Sequence, residues 1–134
     1  MIKSMAGGGG RGMRIVSKYD AIEQAYQQCQ SEAQKAFGND QIYVEKYLPK
    51  TRHIEVQILG DGAAITHLWE RECSLQRRQQ KLIEIAPCPA IHPALRQQII
   101  EAAIQLAKAV NYENAGTFEF LVEGTALSLS LIHI

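Results

Sequence analysis

Cysteine is scarce in this 134-residue chain, and what there is does not pair. Cys29, Cys73 and Cys88 form no CxxC motif and leave an odd count. A disulfide framework and a structural zinc site are both poor readings of that pattern. No run of about twenty apolar residues occurs, so no transmembrane helix is expected. No secretory leader is expected either, because Lys3 and a glycine run arrive almost at once. Net charge is missing as well: 14 Lys and Arg balance 14 Asp and Glu. A neutral chain has no global pull toward nucleic acid or an anionic membrane. There is no internal repeat. A reducing, soluble compartment is the expectation, the cytoplasm or, in a eukaryote, the mitochondrion.

Apolar residues make up 46% of the chain, enough for a core. Met1 to Met5 reads as the end of a strand, and Met13 to Val16 as a second. Gly7 to Gly10 between them form a loop, because four glycines in a row disfavour any regular element. Ser17 and Asp20 read as a capping box for the next segment. That segment places Ile22, Ala25, Tyr26, Cys29, Ala33 and Phe37 at helical spacing, ending near Gly38. Gln41 to Leu48 reads as a strand stopped by Pro49.

From His53 to Leu59 the alternation is clean, with Ile54, Val56 and Ile58 on one face and His53, Glu55 and Gln57 on the other. Asp61-Gly62 signals a hairpin turn, with Ala63 to Trp69 as the partner strand. Arg71 to Lys81 lacks an apolar period and reads as a loop. Pro93 starts a helix burying Leu95, Ile99, Ala102, Ala103, Leu106 and Val110. Asn111 to Gly116 reads as a turn and Thr117 to Val122 as a strand. Strands and helices mix without a regular βαβ repeat, so the fold class is α+β.

Four stretches carry chemistry. Consecutive glycines expose backbone N–H groups that can converge on phosphate oxygens, and Lys3 and Arg11 flank them with charge. A flexible linker explains glycines equally well. The polar face of His53, Glu55 and Gln57 reads first as a solvated sheet face. The run RECSLQRRQQK, residues 71–81, is either a solvated charge run or an anion site built on Arg71, Arg77, Arg78 and Lys81. Without interleaved aromatics it is a weak match to nucleic acid. Cys73 within it reads as a small buried residue. Glu119, set between Phe118 and Phe120, offers a carboxylate suited to magnesium that carries nucleotide phosphates, or else a solvent-facing acid.

Together these motifs resemble one family. MIKSMAGGGGRGMR resembles the glycine-rich lid of biotin carboxylases, the ATP-grasp component of biotin-dependent carboxylases. YVEKYL with RHIEVQILGDG resembles the hinge and first core strands. ERECSLQRRQQKLIEIAP and AGTFEFL resemble the family's most recognisable run and its first metal-binding strand.

The resemblance implies an incomplete ATP-grasp fold, with residues 1–47 as part of the lid and 48–122 as the first part of the core. It implies ATP, Mg2+ and bicarbonate as ligands, and biotin on a carrier protein as substrate. Partners would be a biotin carboxyl carrier domain and a carboxyltransferase, within an oligomeric parent enzyme. Lys3, Gly8, Gly9 and Gly10 would contact the phosphates, and Glu45, Lys46 and Leu48 would frame the adenine. His53 and Gln76 would lie by the ribose and phosphates. Lys81 would be catalytic, holding bicarbonate or the transferred phosphoryl group, and Glu119 would bind the metal.

Another ATP-grasp ligase, such as a carbamoyl phosphate synthetase, and a non-catalytic nucleotide-binding remnant are the alternatives. Gln79 stands where the family usually has histidine. Residues 123–134 do not continue the family pattern, and its second metal-binding Glu, Asn, Arg and general base have no counterpart. The chain by itself is therefore expected to be inactive. The EIAP run, residues 84–87, leans toward a carboxylase that serves pyruvate.

Overall fold

The computed structural model describes residues 1–6, 12–77, 80–124 and 126–128. Gly8, Gly9, Gly10, Arg78 and Gln79 lie outside the described residues. Helix and sheet are mixed as expected, in two compact units, one built on Met1–Pro49 and the other on Lys50–Arg77 and Lys81 onward.

The first unit is a three-stranded antiparallel sheet with one helix on it. Strand β1 (Ile2–Ser4) lies between β2 (Met13–Arg14) and β3 (Ile42–Val44). Helix α1 (Ile22–Phe37) ends at Gly38 in the left-handed region, φ 67°, whose N–H donates to the Gln34 carbonyl. The expected Ser17–Asp20 capping box does not form. A 3-10 turn over Tyr19–Ala21 intervenes, and neither it nor α1 carries a side-chain cap. The start of α1 is thereby pushed well past Ser17.

Only Cys29 and Ala33 of the expected helical face are buried, while Ile22 and Tyr26 are 43% and 39% exposed. Small residues decide which part of the face closes. Cys29 Sγ donates to the Gly12 carbonyl at 2.9 Å. A Cβ on Gly12 would meet Ser4 Cβ at 2.8 Å. The strand expected over residues 41–48 is shorter, because β1 offers only three residues to pair with: Ile2↔Val44, Lys3↔Tyr43 and Ser4↔Ile42.

The second unit is a five-stranded sheet in the order β6-β5-β4-β7-β8, backed by helix α2 (Pro93–Ala109). Its strands are β4 (Arg52–Asp61), β5 (Ile65–Arg77), β6 (Gln80–Ile85), β7 (Glu113–Glu123) and β8 (Ala126–Ser128). The alternation read for β4 holds, with Ile54, Val56 and Ile58 fully buried beside Phe118, Phe120 and Val122 of β7. The β4–β5 turn is closed by Asp61 Oδ1, which accepts from the N–H groups of Ala63 and Ala64 at 2.9 and 2.6 Å.

Three expectations change. Arg71 to Lys81 is not a loop: β5 runs through Arg77 and β6 begins at Gln80. Helix α2 buries Leu95, Ile99, Ile100, Ala103 and Ala107, while Ala102 and Leu106 are half-buried and Val110 is 53% exposed. The helix stops at Ala109, so Val110 is no longer on its face; its start is capped by His92, whose Nδ1 accepts from Ala94 N–H. Strand β7 begins at Glu113 rather than Thr117, with Asn114 at φ 73° inside it.

Candidate active site

The face of β4 turned away from the hydrophobic core is not a solvated face. Antiparallel register sets Glu55 opposite Arg71 on β5 and opposite Glu119 on β7. Glu55 is 1% exposed. Its Oε1 accepts from Arg71 Nε at 2.8 Å and from Arg71 Nη2, and its Oε2 accepts from Lys81 Nζ. Lys81 also donates to Glu119 Oε1 at 2.6 Å. Arg71 Nη1 donates to Gln57 Oε1 at 3.0 Å, and Gln57 Nε2 donates to the Gly116 carbonyl at 2.8 Å. Glu84 Oε2 lies 3.3 Å from Arg71 Nε. Two cations and three carboxylates thus interlock across four strands.

His53 closes the other side of Glu119. Its Nδ1 lies 2.6 Å from Gln76 Nε2, which also donates to the Cys73 carbonyl at 2.9 Å. The other ring nitrogen, Nε2, lies 3.2 Å from Glu119 Oε2.

Burial pushes the Glu119 carboxyl up, but His53 and Lys81 outweigh it and hold the group down at about 2. Burial pulls Lys81 down, and Glu119 and Glu55 outweigh it, so the ammonium is held above its ordinary range. Burial pushes the Cys73 thiol up to about 12, which makes it a buried small residue, as read from the sequence, and no nucleophile near neutrality.

A pH prediction follows for stability. The folded value of Glu119 lies below its ordinary 4.5, so its contribution is complete above that pH and is lost as pH falls toward about 2. The loss expected between pH 5 and pH 2 is about 3 kcal/mol. Urea unfolding at stepped pH checks it: Glu119→Gln should flatten that slope, and an unchanged slope in the variant would refute the assignment.

The structure therefore brings His53, Gln76, Lys81 and Glu119 together in the second unit. In the first unit Lys3 is buried and its Nζ lies 2.5 Å from Glu45 Oε1, so two residues given separate roles are partners. Lys46 is exposed and Leu48 half-buried after β3. Glu55, Gln57 and Glu84 carry no site role in the sequence reading, and Arg71, read as part of an anion site, is instead the partner of Glu55. The available signal was opposite charge at facing positions of two antiparallel strands.

Glu55, Cys73 and Glu84 place three ligand atoms within 4.8 Å of one another. Arg71 and Lys81 already hold Glu55 there, and Cys73 stays protonated, so the trio does not suit a metal ion. Glu119, ionised and oxygen-donating, does suit magnesium. A groove of about 400 Å³ in the first unit, lined by Met13, Ile15, Ser17 and Ala25 among others, includes none of these residues.

The family model for the carbamoyl-phosphate synthase L chain, ATP binding domain, matches residues 1–134. Pyruvate carboxylase of Bacillus subtilis is 57% identical over 123 residues, covering 91% of this chain and 11% of that protein. A biotin carboxylase complex from Campylobacter jejuni is 51% identical with a TM-score of 0.89, over 91% of this chain and 28% of that one. The biotin carboxylase domain of Hydrogenobacter thermophilus 2-oxoglutarate carboxylase is 42% identical with a TM-score of 0.87, over 94% of this chain and 28% of that one. The chain thus spans about a tenth of the first relative's length and about a quarter of those solved domains. Among the described residues no helix is long and apolar enough to cross a membrane. The relatives it resembles include a pyruvate carboxylase and biotin carboxylase domains, and the chain belongs to the carbamoyl-phosphate synthase L chain ATP-binding domain family.

Proposed function

We propose that this chain is part of the nucleotide-binding machinery of an ATP-dependent biotin carboxylase, which activates bicarbonate and carboxylates biotin on a carrier protein. The observation that carries the proposal is the buried polar sheet face, where Lys81 and His53 converge on Glu119. Phosphoryl transfer asks a protein for positioning and charge neutralisation more than for covalent chemistry, and this face offers both.

In this reading Glu119 would hold magnesium, which would supply positive charge to the nucleotide phosphates when bound. Lys81 is the catalytic cation that holds bicarbonate or the transferred phosphoryl group. His53 and Gln76 orient ribose and phosphates. Lys3, Gly8, Gly9 and Gly10 contact phosphates, and Glu45, Lys46 and Leu48 frame the adenine. The Hydrogenobacter domain, whose structure is described as a dimer in complex with MgADP, ADP and bicarbonate, supports these ligands and an oligomeric parent.

A biotin carboxyl carrier domain and a carboxyltransferase are the partners we propose, with pyruvate as final acceptor. The EIAP run and the 57% identity to a pyruvate carboxylase support that acceptor. Three free, buried thiols support a reducing compartment, the cytoplasm or the mitochondrion.

Calorimetric titration of MgADP into the chain tests the reading. Binding is expected to be weak and salt-sensitive, and Glu119→Gln should weaken it about tenfold or more. Equal affinity in wild type and variant would overturn the assignment of Glu119.

A further inference from the structure

Lys81 is held by two carboxylates that differ in how firmly they are themselves held. Glu119 has one oxygen on Lys81 and the other 3.2 Å from His53 Nε2, with no two-pronged partner. Glu55 is buried, and its Oε1 takes two nitrogens of the Arg71 fork while its Oε2 takes Lys81. The fork is fixed in turn through Gln57 to the Gly116 carbonyl of β7. Such a two-pronged contact sets the carboxylate plane as well as its distance. Glu55 has no oxygen free of a cation, so it is a poor metal ligand and a stable anchor.

We propose that Glu55, clamped by Arg71, is the positioning residue that keeps the Lys81 ammonium in place when Glu119 turns to a metal ion. The proposal rests on the reading of Glu119 and Lys81 given above. A cation at Glu119 competes with Lys81 for the same carboxylate. Without a second, fixed partner the ammonium would swing into solvent once the metal arrived, and the site would lose the charge needed beside the transferred group. Glu55 is one strand away from Glu119 at the same register position, so Lys81 can loosen one contact without leaving the other.

The test is nitrogen NMR of the lysine ammonium groups in the full chain, with and without MgADP. Side-chain order and proton exchange of Lys81 are the readouts, and the amide spectrum reports the fold. In the wild type Lys81 should stay ordered when MgADP is added. In Glu55→Gln with MgADP its protons should exchange about tenfold faster, with Glu55→Asp partly restoring the wild-type rate. Lys81 equally ordered in Glu55→Gln and wild type would overturn the proposal.

Should the wild type show no response to MgADP at Glu119 or Lys81, the metal reading fails by itself. The MgADP-free comparison then decides the anchoring: Glu55→Gln should loosen Lys81 more than Glu119→Gln does, and the reverse order would overturn it. If Glu55→Gln does not fold, Arg71→Lys keeps the charge and removes the fork. It should loosen Lys81 to an intermediate degree, and no change would count against Glu55 as the anchor.

Discussion

Phe118→Ala is expected to cost the second unit about 3–5 kcal/mol of unfolding free energy. Phe118 is completely buried on β7, opposite Val56, in the core that α2 covers. The ring of Tyr112 meets it edge-on, with centroids 6.0 Å apart. Truncation removes the transfer free energy of the ring and leaves a cavity that neighbours can fill only in part. Ile54, Val56 and Ile58 are β-branched residues or sit on a strand paired on both sides, so they have little room to relax. Phe118→Leu should cost clearly less. Urea unfolding followed by circular dichroism checks both, and a loss under about 1 kcal/mol for the alanine variant would mean the core is not built as described.

Arg96→Ala should be comparably damaging for a different reason. Glu70 is completely buried on the helix side of β5, and Arg96 Nε donates to its Oε1 at 2.8 Å. Its Oε2 has no hydrogen-bond partner among the described residues. Removing Arg96 therefore leaves a buried carboxylate without its cation, typically a loss of about 3–5 kcal/mol. Arg96 Nη2 also donates to the Cys88 carbonyl at 3.1 Å, so the chain leading into α2 loosens as well.

The pair itself is a weaker stabiliser than its removal suggests, since apolar residues of similar volume can replace a buried ion pair at little cost. Arg96→Met combined with Glu70→Leu should recover most of what Arg96→Ala loses. A double variant no more stable than Arg96→Ala would show that the damage comes from packing and not from the stranded charge.

How far the sequence speaks for this fold depends on which force sets each element. The β4 alternation and the Asp61-Gly62 turn were legible, because an apolar period of two and a turn residue act locally. The stretch from Arg71 to Lys81 was not, because its period of two is written in charge. Glu70 and Glu72 point to the helix side, where they meet Arg96 and Arg52, and Arg71 points the other way to Glu55. Each side chain is explained only by a partner far along the chain.

The same holds for the site. Lys81 and Glu119 stand out by residue type, but the roles of His53 and Gln76 come only from resemblance to a family, which names residues without saying what holds them. Alternation alone puts Glu55 on a solvated face, because it cannot distinguish water from a buried cation. In α1 the apolar spacing marks the helix, but small residues at Cys29, Ala33 and Gly12 decide which turn approaches the sheet.

The most direct test of the proposed site is the MgADP titration read residue by residue, on uniformly labelled chain. At saturation the side-chain signals of His53, Lys81 and Glu119 should move together, with one apparent affinity that weakens as salt is raised. Signals of α2, on the opposite side of the sheet, should stay in place. Movement confined to α2, or saturation with those three side chains unchanged, would contradict the assignment of the polar face of the sheet as the nucleotide site.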